Sequence, residues 1–107
     1  MVAVAEKIAI PATYTYHNGK QETVVLNATA DEWVNVRQAL LDVIDGAVGI
    51  TVPVHGNNVV FEKLSGMYAY ADCVKMVSVH ERSAWKMWMT VGDAFALAYE
   101  IERKVGK

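Results

Sequence analysis

Cys73 is the only thiol of the chain and the residue whose type most directly suggests covalent chemistry. Asp72 precedes it and His80 follows, which supplies the residue types of a nucleophile, a base and an orienting carboxylate. On a strand, however, positions 73 and 80 point to opposite faces and lie more than about 20 Å apart. Because an imidazole must be within hydrogen-bond reach to activate a thiol, the spacing favours a small buried Cys73 over a hydrolase nucleophile.

Metal and phosphate sites also lack a local motif. The histidines at 17, 55 and 80 form no His-x-His or His-x3-His pair, and two of them fall in or beside predicted turns. The seven glycines never give GxGxxG or GxxxxGK[ST], the loops that cradle phosphates. We therefore expect no metal and no cofactor.

Composition limits the classes of partner. The chain has 107 residues, of which 53% are hydrophobic, so it can form one domain, 1–107, with a core of its own. Its formal net charge is -2, which gives no general attraction to phosphate backbones. Tyr14 and Tyr16 have the spacing of a base-stacking strand, but Glu22 counters the nearby Lys20. We therefore expect no nucleic-acid partner.

The N-terminal run MVAVAEKIAI does not have the pattern of a signal peptide. It lacks a basic leader, and Glu6 and Lys7 interrupt its apolar residues. No window approaches the roughly 18 apolar residues that a membrane span needs. A cytoplasmic protein without membrane contact is expected.

Asn18-Gly19, between two β-rich runs, predicts a hairpin with a two-residue turn. Such a turn pairs Ala12 with Val25. In this register one face is apolar, and the other still carries Val24 and Leu26. A hairpin with two apolar faces needs cover on both, which a second copy of the chain could supply.

Two helices are predicted. The first begins with a capping box, Thr29 and Glu32, and Gly46 is a plausible end. Its apolar residues recur at helical spacing at Trp33, Val36, Leu40, Val43 and Ile44. The second begins after Thr90, with Asp93 in its first turn, and buries the stripe Ala94, Leu97, Ala98, Ile101 and Val105.

Between the helices, the chain reads as strands. A Gly56-Asn57 turn would set Val54 opposite Val59, and CVKMVSVH and SAWKMWM fit two further strands. Pro53 lacks an N–H and demotes its strand to an edge. The predicted order is β-β-α-β-β-β-(β)-α, an α+β fold in which two helices pack on one face of a mostly antiparallel sheet built from hairpins.

The stretch SAWKMWMT is unusually rich in large apolar residues. On a strand, Trp85, Met87 and Met89 face one way, and Trp88 faces the other. Trp88 then either packs beneath the last helix or forms a contact surface with Tyr68 and Tyr70. Exposed aromatics beside methionines are typical of contact surfaces, because they bury much area at low entropy cost.

The leading interpretation is a small accessory protein, of a kind frequent in bacteria and phages, that acts by protein–protein contact. Its partner is another protein chain, most simply a second copy in a homodimer. The predicted contact residues are Trp85, Trp88, Tyr68, Tyr70 and Met87, with a secondary acidic patch at Asp42 and Asp45. The alternative is a small-molecule pocket between sheet and C-terminal helix, lined by Tyr, Trp and Met, with Asp72 or His80 as its polar group. A hydrolase that uses Cys73 is the third class.

Overall fold

The computed structural model describes residues 6–15, 20–54, 57–68, 71–79 and 84–105, with the backbone alone described at 57, 64–68, 71–73, 78, 79 and 84–86. The elements, in chain order, are β1 (Lys7–Thr15), β2 (Gln21–Thr29), α1 (Ala30–Ile44), β3 (Ile50–Val54), β4 (Asn57–Tyr68), β5 (Ala71–Val79), β6 (Ala84–Thr90) and α2 (Val91–Val105). The α+β class and the predicted order of elements are confirmed.

The strands form two antiparallel sheets. β1 and β2 make a two-stranded sheet, and the other strands make a four-stranded sheet in the order β3-β4-β5-β6. β1 lies beside β6, so the two sheets are neighbours. Both helices pack on the inner face of the larger sheet, where α1 contacts β3 and β4 and α2 contacts β5 and β6.

One core joins the helices to both sheets. The helices contribute Trp33, Val36, Leu40, Val43, Ala94, Leu97 and Ile101. The four-stranded sheet contributes Val52, Val59, Phe61, Val74, Met76, Met87 and Met89, and the first hairpin adds Ile10, Ala12 and Ala28. Alternate described residues of the four-stranded sheet enter this core, namely Val59 and Phe61 of β4, Val74 and Met76 of β5, and Met87 and Met89 of β6. Alternation along the strands therefore decides which of these side chains remain available for contacts.

The first hairpin differs from the prediction by one residue. Ala12 pairs with Val24, and Pro11 pairs with Val25. A slip of one residue reverses every side chain, so Val24 and Leu26 join the inner face while Val25 points outward. The predicted register is therefore wrong. The burial of Val24 and Leu26 together outweighs the preference for a two-residue turn that Asn18-Gly19 suggests. Asn18 and Gly19 themselves lie outside the described residues. The hairpin has one apolar face.

The second hairpin differs from the prediction by two positions, which leaves its faces unchanged. Val54 pairs with Asn57, and Val52 pairs with Val59. The predicted pairing of Val54 with Val59 is wrong, but the predicted inner face is confirmed because Val52, Val59 and Phe61 are buried. His55 and Gly56, which join the paired ends, lie outside the described residues.

α1 begins and ends as predicted. The Thr29 hydroxyl accepts a hydrogen bond from the Glu32 N–H (3.2 Å), and the Glu32 carboxylate accepts one from the Thr29 N–H (2.9 Å). This capping box satisfies two donors that the first turn would otherwise leave open. Gly46 follows the helix with a φ of 113°, a conformation that favours glycine.

α2 begins at the predicted position. The Thr90 hydroxyl accepts a hydrogen bond from the Asp93 N–H at 3.0 Å, and Ala94, Leu97, Ala98 and Ile101 form the buried stripe. Arg103 and Lys104 lie in its last turn, where positive charge is favourable.

Candidate functional site

β6 separates its large side chains by face. Met87 is 5% exposed, and Met89 is fully buried. Trp88 points away from these two methionines and is half-buried, in register with Lys75 of β5. The assignment of Met87 to a contact surface is therefore wrong, because the side chain fills the core under the helices. Trp88 lies on the outer side of the sheet, as alternation predicts.

The other predicted aromatics are located only by their backbone or not at all. Trp85 pairs with Ser78, and Tyr68 pairs with Ala71 at the far end of the β4–β5 ladder. The described residues include neither of their side chains, and Tyr70 lies outside the described residues.

The residues proposed for chemistry do not assemble into a described site. Cys73 lies in β5 between Leu64 of β4 and Thr90 of β6, and Asp72 precedes it on the same strand. Their side chains are not described, and the three histidines, including His80, lie outside the described residues. Within the described part of the chain, no group of three or more His, Cys, Asp or Glu residues could hold a metal ion.

Asp42 and Asp45 lie at the C-terminal end of α1. The Asp42 carboxylate accepts a hydrogen bond from the Gln38 amide at 2.8 Å, and Asp45 is exposed. The last turn of α1 has no basic residue of its own. Instead, Lys63 of β4 donates to the Ile44 carbonyl at 3.4 Å, which places a positive charge at the negative end of the helix dipole. A role for the acidic pair in binding remains a prediction.

The most exposed aromatic side chains of the described residues lie on α2. Phe95 is 49% exposed, and Tyr99 is 64% exposed. Since they are four residues apart, they are neighbours on one side of the helix, and Arg103 continues the same row one turn later. We call Phe95, Tyr99 and Arg103 the helix surface. Its signal in the sequence was an aromatic pair at i and i+4 outside the predicted buried stripe.

The charges in and beside the helix surface form ion pairs within the molecule. Arg103 donates two hydrogen bonds to Glu100, at 2.8 and 3.1 Å, and Arg37 of α1 lies 3.4 Å from Glu102. The hydrogen bonds from Arg103 hold the pKa of Glu100 below its usual value. The pair is therefore ionised at neutral pH and is lost only when the pH falls through that lowered pKa.

A cleft of about 260 Å³ lies between the first hairpin and α2. The described residues that line it are Pro11, Ala12, Thr13, Thr23, Asp93, Ala96, Leu97 and Glu100. The Gln21 amide donates to Asp93 at 3.2 Å and so links the hairpin to the first turn of the helix. A cleft thus lies between a sheet and the C-terminal helix, but none of its described lining residues is a Tyr, Trp or Met of the kind that the sequence suggested.

Neither of the described helices is long and apolar enough to cross a membrane. Comparison with known proteins adds no further constraint: no family model, no curated protein and no solved structure matches this chain.

Proposed function

We propose that this protein is an accessory module that acts by contact with another protein, and that the helix surface on α2 carries the contact. The observation behind this proposal is the exposure of Phe95 and Tyr99 on adjacent turns of a helix whose opposite side is fixed in the core. Tyrosine and arginine are among the residues that contribute most to binding at protein interfaces.

The energetics of the surroundings support this choice. A contact gains free energy from apolar area removed from water, and two exposed aromatic rings offer the largest such area on α2. Arg103 and the neighbouring Glu100 and Glu102 already have partners within the molecule. They can form the charged rim of an interface without leaving an unpaired charge in its centre.

The predicted contact surface around Trp88 is expected to contribute less to binding than the helix surface. Trp88 is half-buried on the outer side of the four-stranded sheet, so less of its ring is available to a partner. We assign Trp88 a secondary contact, with Tyr68 and Tyr70 as its predicted neighbours.

The test is quantitative affinity capture with tagged protein from cells of the source organism. Wild type is compared with the Phe95→Ala/Tyr99→Ala double variant, with Trp88→Ala and with Val48→Ala, a control whose residue is 96% exposed in a loop. We expect the double variant to lose the captured proteins while its melting temperature stays within a few degrees of the wild-type value. An unchanged set of captured proteins, or a strongly lowered melting temperature, would contradict the proposal.

The cleft supports a second candidate function, binding of a small molecule. Its volume is slightly below that of most ligand pockets, which is about 300–1,000 Å³. Its lining combines apolar side chains with the carboxylates of Asp93 and Glu100 and the hydrogen-bonded hydroxyls of Thr13 and Thr23. A bound ligand stabilises the folded state by mass action, so a thermal-shift screen of metabolites tests this function. Ala96→Leu, which fills the cleft, should abolish any shift that arises there. A hit that survives Ala96→Leu would exclude the cleft as its site.

A further inference from the structure

We infer that the cleft between the first hairpin and α2 binds a small aliphatic primary amine, with the ammonium group at Asp93 and the carbon chain against Ala96 and Pro11. This inference rests on the second candidate function, binding of a small molecule, and adds the class of the ligand. Three observations carry it: the shape of the cleft, the distribution of charge along it, and the hydrogen-bond acceptors beside Asp93.

The cleft follows α2 for two turns. Asp93 and Glu100 are seven residues apart, so they lie on the same side of the helix and about 10 Å apart along its axis. Ala96 and Leu97 occupy the turn between them, and all four residues line the cleft. Because the side chain of Ala96 is small, it leaves a trough along the helix with a carboxylate at each end.

The middle of this trough is apolar. Ala96 of α2 and Pro11 of β1 are exposed on its two sides, and Leu97 and Ala12 are buried beneath them. An alkyl chain laid between Ala96 and Pro11 therefore removes apolar surface from water on both sides. A chain of about four carbons fits within the two helical turns that separate the carboxylates.

The two carboxylates differ in their partners. Arg103 binds Glu100 through two hydrogen bonds, at 2.8 and 3.1 Å, and so compensates its charge. Asp93 accepts a hydrogen bond from the uncharged Gln21 amide at 3.2 Å, and among the described residues it forms no ion pair. None of the described lining residues is basic. A cationic ligand would supply the counter-charge at Asp93.

The positive charges near the cleft fix the direction of the ligand. Lys104, one turn beyond Glu100, donates a hydrogen bond to the Ala9 carbonyl at 3.4 Å. Arg103 is bound to Glu100 at the same end of the cleft. An ammonium group is therefore repelled from the Glu100 end and attracted to the Asp93 end, so the alkyl chain points from Asp93 towards Glu100.

The acceptors beside Asp93 favour a primary amine, whose ammonium group has three N–H donors. The hydroxyls of Thr13 and Thr23, 3.1 Å apart, also line the cleft, and their oxygens accept hydrogen bonds. Thr23 follows Gln21 by two residues, so both side chains lie on the same face of β2 and the hydroxyl pair is next to the amide that holds Asp93. A carboxylic acid would instead bring a second negative charge to Asp93.

The test is an NMR titration of the full chain, labelled with ¹⁵N, with n-butylammonium chloride at constant ionic strength. n-Butanol and sodium butyrate are the neutral and anionic controls of matched size. We expect saturable shifts of the Ala12, Asp93 and Ala96 amides with a Kd of roughly millimolar, since a ligand of so few atoms gains limited free energy. Butanol should bind at least about tenfold more weakly, and butyrate should not bind, because an anion meets like charge.

A matched pair of variants tests the role of Asp93. Asp93→Asn keeps an acceptor for the Gln21 amide and should raise the Kd for butylammonium about tenfold or more, because it removes the negative charge. Asp31→Asn makes the same change in the first turn of α1, outside the described lining of the cleft, and should leave the Kd unchanged. Ala96→Leu fills the trough and should abolish binding.

Three results would overturn the inference: no shift of the cleft amides with butylammonium, equal binding of butanol or butyrate, or an unchanged Kd in Asp93→Asn. Its failure is separate from failure of the candidate function on which it rests. A neutral or anionic metabolite whose binding Ala96→Leu abolishes would leave small-molecule binding standing and exclude the amine. If neither butylammonium nor any metabolite binds in the cleft, both fail. Phe95→Ala/Tyr99→Ala should leave the Kd unchanged, so partner capture is tested independently.

Discussion

β6 and α2 both concentrate large apolar side chains in a short stretch, yet the fold uses them differently. On β6, Met87 and Met89 enter the core and Trp88 is half-buried on the outer side of the sheet. On α2, Phe95 and Tyr99 remain about half or more exposed, next to a stripe that is fully packed. Among the described side chains, those of β6 are therefore mostly buried, and the sparser pair on α2 has the larger exposed area.

The geometry of the two elements explains this difference. A strand in a sheet covered on one face sends every second residue inward, so a run of apolar residues is divided between core and surface. A helix buries a stripe around one side, and an apolar pair outside that stripe has no internal partner. An apolar residue that no packing requirement explains is a better indicator of a contact surface than local apolar density.

The largest expected effect belongs to the core side of β6. Met89→Ala removes a fully buried side chain and should reduce the free energy of unfolding by about 2–5 kcal/mol, because a cavity adds to the lost transfer free energy. Urea unfolding measures the change. A loss of stability as small as that caused by truncating an exposed side chain would show that β6 does not anchor the core.

The next effect concerns the link between α1 and the first hairpin. Trp33 donates from its indole nitrogen to the Ile8 carbonyl at 2.8 Å. Trp33→Phe keeps most of the ring but removes this hydrogen bond, and should cost about 1–2 kcal/mol through the bond and the lost volume. The same unfolding assay applies, with Trp88→Phe as the matched control on the outer side of the sheet, where we expect a smaller loss.

The capping box of α1 should contribute less. Thr29→Ala removes the hydroxyl that accepts from the Glu32 N–H and should cost about 1 kcal/mol, while Thr29→Ser should restore most of the stability. Equal losses in both variants would mean that the methyl group, rather than the hydroxyl, matters at this position.

These elements differ in how far the sequence predicts them. The capping box and the buried stripes depend on residues a few positions apart, so both helices are predicted correctly. The register of the first hairpin depends on how Val24 and Leu26 pack against the rest of the fold, and the local turn signal gives the wrong answer. The contact between Lys63 and the end of α1 joins distant parts of the chain, and no local pattern indicates it.

For the candidate site, too, the sequence predicts what depends on neighbouring residues and fails where distant parts of the chain meet. Alternation along β6 correctly separates Trp88 from Met87 and Met89, but it does not say which side the helices cover. Once Met87 is assigned to the core, the helix surface is the larger exposed aromatic area of the described residues. The sequence contains Phe95 and Tyr99 four residues apart, but only the packing of the whole fold shows that neither ring enters the core.

The smallest effect on stability should come from the helix surface. Phe95→Ala/Tyr99→Ala should change the free energy of unfolding by no more than about 0.5–1 kcal/mol, since both rings are largely in water and alanine favours the helix. A loss as large as that of Met89→Ala would mean that these aromatics pack within the molecule, and the contrast between β6 and α2 would disappear.

Partner capture by this double variant tests the central claim most directly, because the two residues are predicted to serve binding and not folding. We expect the Phe95→Ala/Tyr99→Ala protein to melt within a few degrees of the wild-type temperature and to lose the proteins that wild type and Val48→Ala retain. Capture that is undiminished in the double variant but lost in Trp88→Ala would contradict the account and would return the contact surface to the outer side of the sheet.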